Sequence, residues 1–177
     1  MKGWTTLPAV TLWPMLWFRG LVFTLLIPAV VGGVAPWRLH QGHSAAGGFW
    51  QVGWLLLACG GLVYFLCLLR FLAAGGTPVI HLLPAPVKSL LGTEPQGLIH
   101  AGIYRVSRNP MYLGVTSLIF GQAILFKSAL VAAYGVIVWL CFYGIVVFVE
   151  EPHLREQHGS SYQQFCQRVP RWIGWPR

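Results

Sequence analysis

The 177-residue chain is 56% hydrophobic and 14% aromatic, with a mean hydropathy of +0.64. Charged residues make up 9% of it, against roughly 25% in soluble domains, which excludes an ordinary soluble enzyme and reads as an integral membrane protein. The net charge of +8 comes from basic residues at the ends of apolar runs, so it reads as orientation signals and lipid contacts, with no nucleic-acid partner.

The apolar residues come in long unbroken runs. Barrel strands would alternate, so the expected fold is all-α integral membrane, with four transmembrane helices and five as the alternative. Residues 1–14 hold Trp4, Pro8, Trp13 and Pro14 and read as an interfacial segment without a convincing cleavable signal. The first span is expected over residues 15–37, with Arg19 near its start and Pro28 and Gly32-Gly33 as kink points. A polar, Gly-rich connection follows, with His40 and His43. The second span is expected over 49–72, where Gly60-Gly61 favour close helix packing. Residues 73–101 carry Pro78, Pro84, Pro86 and Pro95, which break any crossing; they read as a loop with interfacial or re-entrant pieces.

The third span is short, about 16 residues from Pro110, with Asn109 as a candidate N-cap. Lys127-Ser128 makes a tight turn into a fourth span over 129–149 that ends at Glu150. These two form a C-terminal helical hairpin. The remaining tail is polar and basic, with an amphipathic stretch around residues 161–169.

Four crossings put both termini on one side. That side then holds Lys2, Arg19, Arg70, Lys88, Arg105, Arg108, Arg155, Arg168, Arg171 and Arg177, and the other only Arg38 and Lys127. The bias predicts that the termini and the long loop are cytoplasmic. Cys59, Cys67, Cys141 and Cys166 show no CxxC spacing and read as free thiols. His153 and His158 are not expected to share a helix face, and no metal site is expected.

The topology brings the start of the third span to the end of the fourth. Arg108, Asn109 and Tyr112 should therefore meet Glu150, Glu151 and Arg155. Tyr104, Arg108 and Tyr112 would share one face if the helix reached back that far. Arginines at a helix N-terminus favour a carboxylate, and paired glutamates favour an ammonium, a sulfonium or hydroxyls. An arginine–glutamate network that merely staples the helices would look the same in sequence.

The run Gly102-Ile103-Tyr104-Arg105-Val106-Ser107-Arg108-Asn109-Pro110-Met111-Tyr112-Leu113-Gly114, then a hairpin, then Glu150-Glu151, Leu154, Tyr162 and Val169-Pro170-Arg171, resembles the isoprenylcysteine carboxyl methyltransferase and phospholipid methyltransferase superfamily. The resemblance spans 97–173, a methyltransferase core following an N-terminal transmembrane pair at 15–72, all within one membrane domain. It implies S-adenosylmethionine as donor, S-adenosylhomocysteine as product, and a lipophilic small-molecule substrate entering from the lipid bilayer. By position Tyr104, Arg108, Asn109, Tyr112, Leu113, Glu150, Glu151 and Tyr162 would bind the cofactor, under a cytoplasmic tail that caps the site. Asn109 stands where eukaryotic carboxyl methyltransferases commonly have His, so Asn109-Pro110 resembles the prokaryotic branch and implies a prokaryotic inner membrane, and Ile103 replaces a frequent proline.

The expected reaction is in-line methyl transfer. An isoprenylcysteine-like carboxylate needs no base, and Arg108 or Arg171 would orient it. For a phospholipid or small-amine acceptor, Glu151 could take the proton. A reading of another class is a non-catalytic membrane scaffold or transporter subunit. Transporters favour ionisable groups at the bilayer midplane, and the centres of these runs carry none.

Overall fold

The computed structural model describes residues 9–40, 49–78, 95 and 97–174. The segment expected to be re-entrant falls largely outside these residues, as do Lys88, Glu94, His43 and His81. Every regular element among them is helical. Helix α1 (Ala9–Leu26) runs through a π-turn (Val30–Val34) into α2 (Ala35–Leu39). Helix α3 is Trp50–Ala73, a 3-10 turn covers Gly102–Arg105, and α4 is Pro110–Leu125. Helix α5 (Ala129–Ile145) continues through a second π-turn (Val146–Glu150) into α6 (Glu151–Arg168). Three stretches are long and apolar enough to cross a membrane: Pro14–Leu39, Trp50–Ala73 and Ala129–Arg168; Pro110–Leu125 is a shorter apolar helix. Large apolar side chains such as Phe18, Leu55 and Ile137 point outward, the surface a lipid solvent requires.

Glycine pairs set the central contact. A Cβ built on Gly60 would lie 2.8 Å from the Gly114 carbonyl oxygen, and one on Gly121 would lie 2.9 Å from that of Gly53. Gly53 thus meets Gly121 and Gly60 meets Gly114, so α3 and α4 run antiparallel with their backbones nearly touching. In lipid such close packing, not hydrophobic expulsion, drives helix association. Gly61, expected to share this role, has open space around it.

Both π-turns end two residues before a proline, Pro36 or Pro152. A proline ring clashes with the carbonyl four residues back and has no N–H to give it. Widening the turn relieves the clash. In the first span this strips two carbonyls of helical donors. The Ala35 N–H reaches back to the Val30 oxygen, which leaves the Val31 oxygen, and Pro36 leaves that of Gly32. Other helices supply the missing donors. Gln122 Nε2 gives a hydrogen bond to the Gly32 oxygen at 2.5 Å, and Tyr134 Oη one to the Val31 oxygen at 3.0 Å.

The short α4–α5 connection closes through Lys127, whose φ of 48° is left-handed, and Ser128, whose Oγ accepts from the Val131 N–H at 3.3 Å. His40 lies 4.3 Å from Phe126 across this end. At the opposite end a Cβ on Gly20 would lie 3.3 Å from Leu68. The ends of α3 and α5 and the start of α4 therefore gather at one membrane face, where the arginines also collect.

One boundary differs from expectation. The fourth span does not stop at Glu150: the chain stays helical to Arg168, because the π-turn lets it accommodate Pro152. The one break is Gly159 (φ 51°, ψ −123°), which redirects the second half of α6. The third helix starts at Pro110 and does not reach back to Tyr104, which sits in the separate 3-10 turn.

Candidate active site

The gathered helix ends enclose a cavity with about 1250 Å³ of empty volume, its open mouth included. Phe23, Ile27 and Val31 of the first span, with Met111, Val115 and Phe142 of the hairpin, are among the apolar side chains that make most of the lining. Tyr104, Arg108, Asn109, Tyr112, Glu150, His158 and Tyr162 add polar groups to it.

Arg108 is held on several sides. Its side chain is 11% exposed, and Nη1 donates to Glu151 Oε1 at 3.1 Å and to Cys166 Sγ at 2.9 Å. The Tyr162 hydroxyl is 3.5 Å away. Its Nε is buried with no hydrogen-bond partner among the described residues. Such a donor costs stability unless a ligand completes it.

Glu151 is the hub behind the cavity wall, not part of its lining. Besides Arg108 it accepts from Arg171 Nε at 2.7 Å, Arg171 Nη2 at 3.1 Å and Arg155 Nη2 at 3.4 Å. Its hydrogen bond to Arg171 raises the guanidinium further above its already high range. Arg171 also lies 5.9 Å over the Tyr143 ring, and Trp172 packs against Trp139 and Tyr143.

The tail is strapped over this network by the residues that begin α4. The Arg108 N–H donates to the Pro170 oxygen and Asn109 Nδ2 to the Arg171 oxygen, both at 3.0 Å. Asn109 occupies the N-cap position without capping: its side chain makes no cap bond and is spent on the strap. Its own N–H donates to Ser107 Oγ at 3.1 Å.

Glu150 has different surroundings. It lines the cavity, accepts a hydrogen bond from the Tyr112 hydroxyl, and makes no ion pair among the described residues. The Tyr112 ring packs 4.6 Å from Phe142. Tyr104 is buried beside them and hydrogen-bonds with Cys67. Burial first, then Cys67 and Glu150, pushes its phenol well above the usual range.

Of the residues expected from sequence, Tyr104, Arg108, Asn109, Tyr112, Glu150 and Tyr162 line the cavity. Leu113, Glu151 and Arg171 do not: Glu151 and Arg171 pair with each other behind the wall, and Leu113 lies outside the lining. Sequence reasoning missed Phe142, Leu154, Gln157, His158 and Phe165, which also line it. The signal was present as helical spacing on each side of Gly159, at 154 and 157/158 and at 162 and 165, visible once α6 is continued through Pro152. The described residues contain no cluster of three or more metal-binding side chains, and all four cysteines are free thiols.

Fold and site define a class: an all-α integral membrane protein with a mainly apolar cavity at one membrane face that also carries polar side chains, and a tail tied to the residues that begin α4. Residues 86–161 match the family model described as phospholipid methyltransferase. Over 81 residues the chain is 31% identical to protein-S-isoprenylcysteine O-methyltransferase B of Arabidopsis thaliana, which covers 45% of this chain and 41% of that one. The match thus spans less than half the length of this curated relative. No solved structure matches. Over the matched residues the chain is similar to the isoprenylcysteine carboxyl methyltransferase and phospholipid methyltransferase superfamily.

Proposed function

We propose that the protein transfers a methyl group from S-adenosylmethionine to a lipophilic substrate held in the bilayer, leaving S-adenosylhomocysteine. The observation that carries this reading is a single, mainly apolar cavity that is also lined by polar side chains, Arg108, Asn109 and Glu150 among them. A water-soluble donor and a lipid-soluble acceptor need both. The superfamily match supports the chemistry.

The residues fit such a donor. The unpartnered Arg108 Nε matches a carboxylate. Asn109, Tyr104 and Tyr162 offer amide and hydroxyl groups for its other polar atoms. When bound, the sulfonium supplies an electrophilic methyl group. The protein's part is to orient the partners and exclude water, which the buried tyrosines and the strap over Arg108 accomplish. Glu151 and Arg171 act as positioning residues through Arg108, touching no ligand themselves.

The name of the plant relative supports an isoprenylcysteine-like carboxylate acceptor, and the family description a phospholipid amine. The ten basic residues counted at the site's end support its cytoplasmic placement.

The test is calorimetric titration of the detergent-purified protein with S-adenosylhomocysteine, then labelled S-adenosylmethionine with native lipid extract. Saturable binding and a labelled lipid are expected. No binding overturns the proposal in favour of a non-catalytic membrane protein.

A further inference from the structure

We infer that residues 169–174 form a membrane-docking strap, seated among anionic lipid headgroups beside the start of α4, and not a cap in water.

Helix α4 has 16 residues. It rises about 24 Å, against a hydrocarbon core of about 30 Å. A span this short leaves core thickness uncovered beside its ends unless the lipid thins or other groups fill the gap. The strap lies at that gap. Tyr112, in the first turn of α4, packs 4.6 Å from Phe142, which sets Tyr143 at the depth of the α4 start. The Trp172 ring stacks 6.2 Å from that of Tyr143 and lies 6.0 Å from Trp139, one turn further into the span. By helical spacing Trp139 and Tyr143 belong to the side of α5 that carries the exposed Val136 and Leu140. That side faces lipid, so the strap rests on a lipid-facing stripe at the edge of the hydrocarbon core.

The outward side chains match that place. Ile173 is 79% exposed and Val106 51%. Ser107 Oγ donates to the Arg171 oxygen at 3.4 Å, so Val106 and Ile173 flank the same bond. Arg105 precedes Val106 and Arg168 precedes the strap, both exposed. Apolar side chains that enter the acyl boundary beside guanidiniums make an interfacial anchor, and the guanidiniums select anionic headgroups. Glu156 is the one exposed acid among the described residues, against Arg105, Arg155 and Arg168 at this face. A symmetric contact with a second copy would bring those arginines together, where they repel. Docking reaches the cavity through the bonds that fasten the strap. The Arg108 N–H donates to the Pro170 oxygen at 3.0 Å, and Arg171 holds Glu151, which holds Arg108 Nη1. A strap that lifts from the membrane frees the Arg108 N–H and loosens its guanidinium.

The experiment places the full chain in nanodiscs of phosphatidylcholine alone or with about one third phosphatidylglycerol, and follows hydrogen exchange of the Arg108 amide. No ligand is added, so the outcome is independent of the methyl-transfer reading. The Lys127 and Ser128 amides at the opposite face, under the same lipid charge, serve as reference. Relative to them, the anionic lipid should slow Arg108 exchange about fivefold or more, the effect of one arginine near an anionic surface. Arg105→Gln combined with Arg168→Gln should abolish most of that response, and raising salt to about 0.5 M should do the same in wild type. Ile173→Asp should speed Arg108 exchange in both lipids. An exchange rate indifferent to lipid charge overturns the inference, as does a response that survives the double substitution or high salt. Unchanged exchange in Ile173→Asp removes the insertion and leaves the strap as a cap in water, which also overturns it.

Discussion

Arg171 grips Glu151 with two nitrogens, Nε to Oε1 at 2.7 Å and Nη2 to Oε2 at 3.1 Å. The bond joins the tail to the first turn of α6, and through Glu151 it holds Arg108 in the cavity wall. Three arginines share this one carboxylate, but they differ in exposure: 11% for the Arg108 side chain, 32% for Arg171 and 59% for Arg155. Glu151→Gln leaves Arg108 buried without its counter-charge, which costs about 3–5 kcal/mol. Arg155→Ala removes an exposed i,i+4 pair worth under about 1 kcal/mol, and Arg171→Ala falls between. Thermal unfolding in one detergent should rank the losses in that order. Equal effects for Arg155→Ala and Glu151→Gln would sink the hub.

Gly60 and Gly61 separate packing from propensity within one dipeptide. A methyl on Gly60 enters the Gly114 backbone at 2.8 Å, while one on Gly61 meets nothing within 4 Å. Gly60→Ala should destabilise by about 1–3 kcal/mol. Gly61→Ala should be neutral or stabilise by up to about 1 kcal/mol, because alanine is the better helix former. Melting temperatures of the two variants check this, and a loss of the same size in both would count against the close contact.

The hairpin, the proline start of α4 and the meeting of Arg108 with Glu151 were legible because each rests on local pattern: apolar run length, Pro110, and charges flanking both spans. The separate fates of Glu150 and Glu151 were not read, although helix geometry alone says that adjacent side chains cannot share a face. Which of the two faces inward depends on the π-turn before Pro152, a shift of register that hydropathy does not encode. Leu154, Gln157, His158 and Phe165 were hidden as lining residues for a related reason. They lie on a polar helix, and an apolar-run search stops where its charges begin. Tyr104 shows the converse: its four-residue spacing to Arg108 and Tyr112 suggested a shared helix face, yet a separate turn brings it to the same cavity.

Gly159 carries the redirection of α6 at φ 51° and ψ −123°, with nothing within 4 Å of the position a Cβ would take. Gly159→Ala therefore meets no steric obstacle beyond its own backbone. It should cost about 1–2 kcal/mol through left-handed strain. If α6 straightens to escape that strain, Tyr162 and Phe165 leave the cavity wall. Weaker S-adenosylhomocysteine binding than the stability loss explains would mark that movement; an unchanged Kd would place the strain entirely in the backbone.

Gln122 and Pro36 form a compensating pair across two spans. Pro36 denies the Gly32 carbonyl its helical donor, and Gln122 Nε2 replaces it at 2.5 Å while also reaching the Leu118 oxygen at 3.1 Å. Gln122→Leu fills similar space but leaves the Gly32 oxygen unsatisfied at membrane depth, at about 1–3 kcal/mol. Pro36→Ala restores an N–H that can serve the same carbonyl. In that background Gln122→Leu should cost less, so the double-mutant cycle should show a coupling of about 0.5–3 kcal/mol. Unfolding measured in the four proteins checks it. Strict additivity would mean that the glutamine serves some other purpose, since a donor matters to Gly32 only while the proline withholds one.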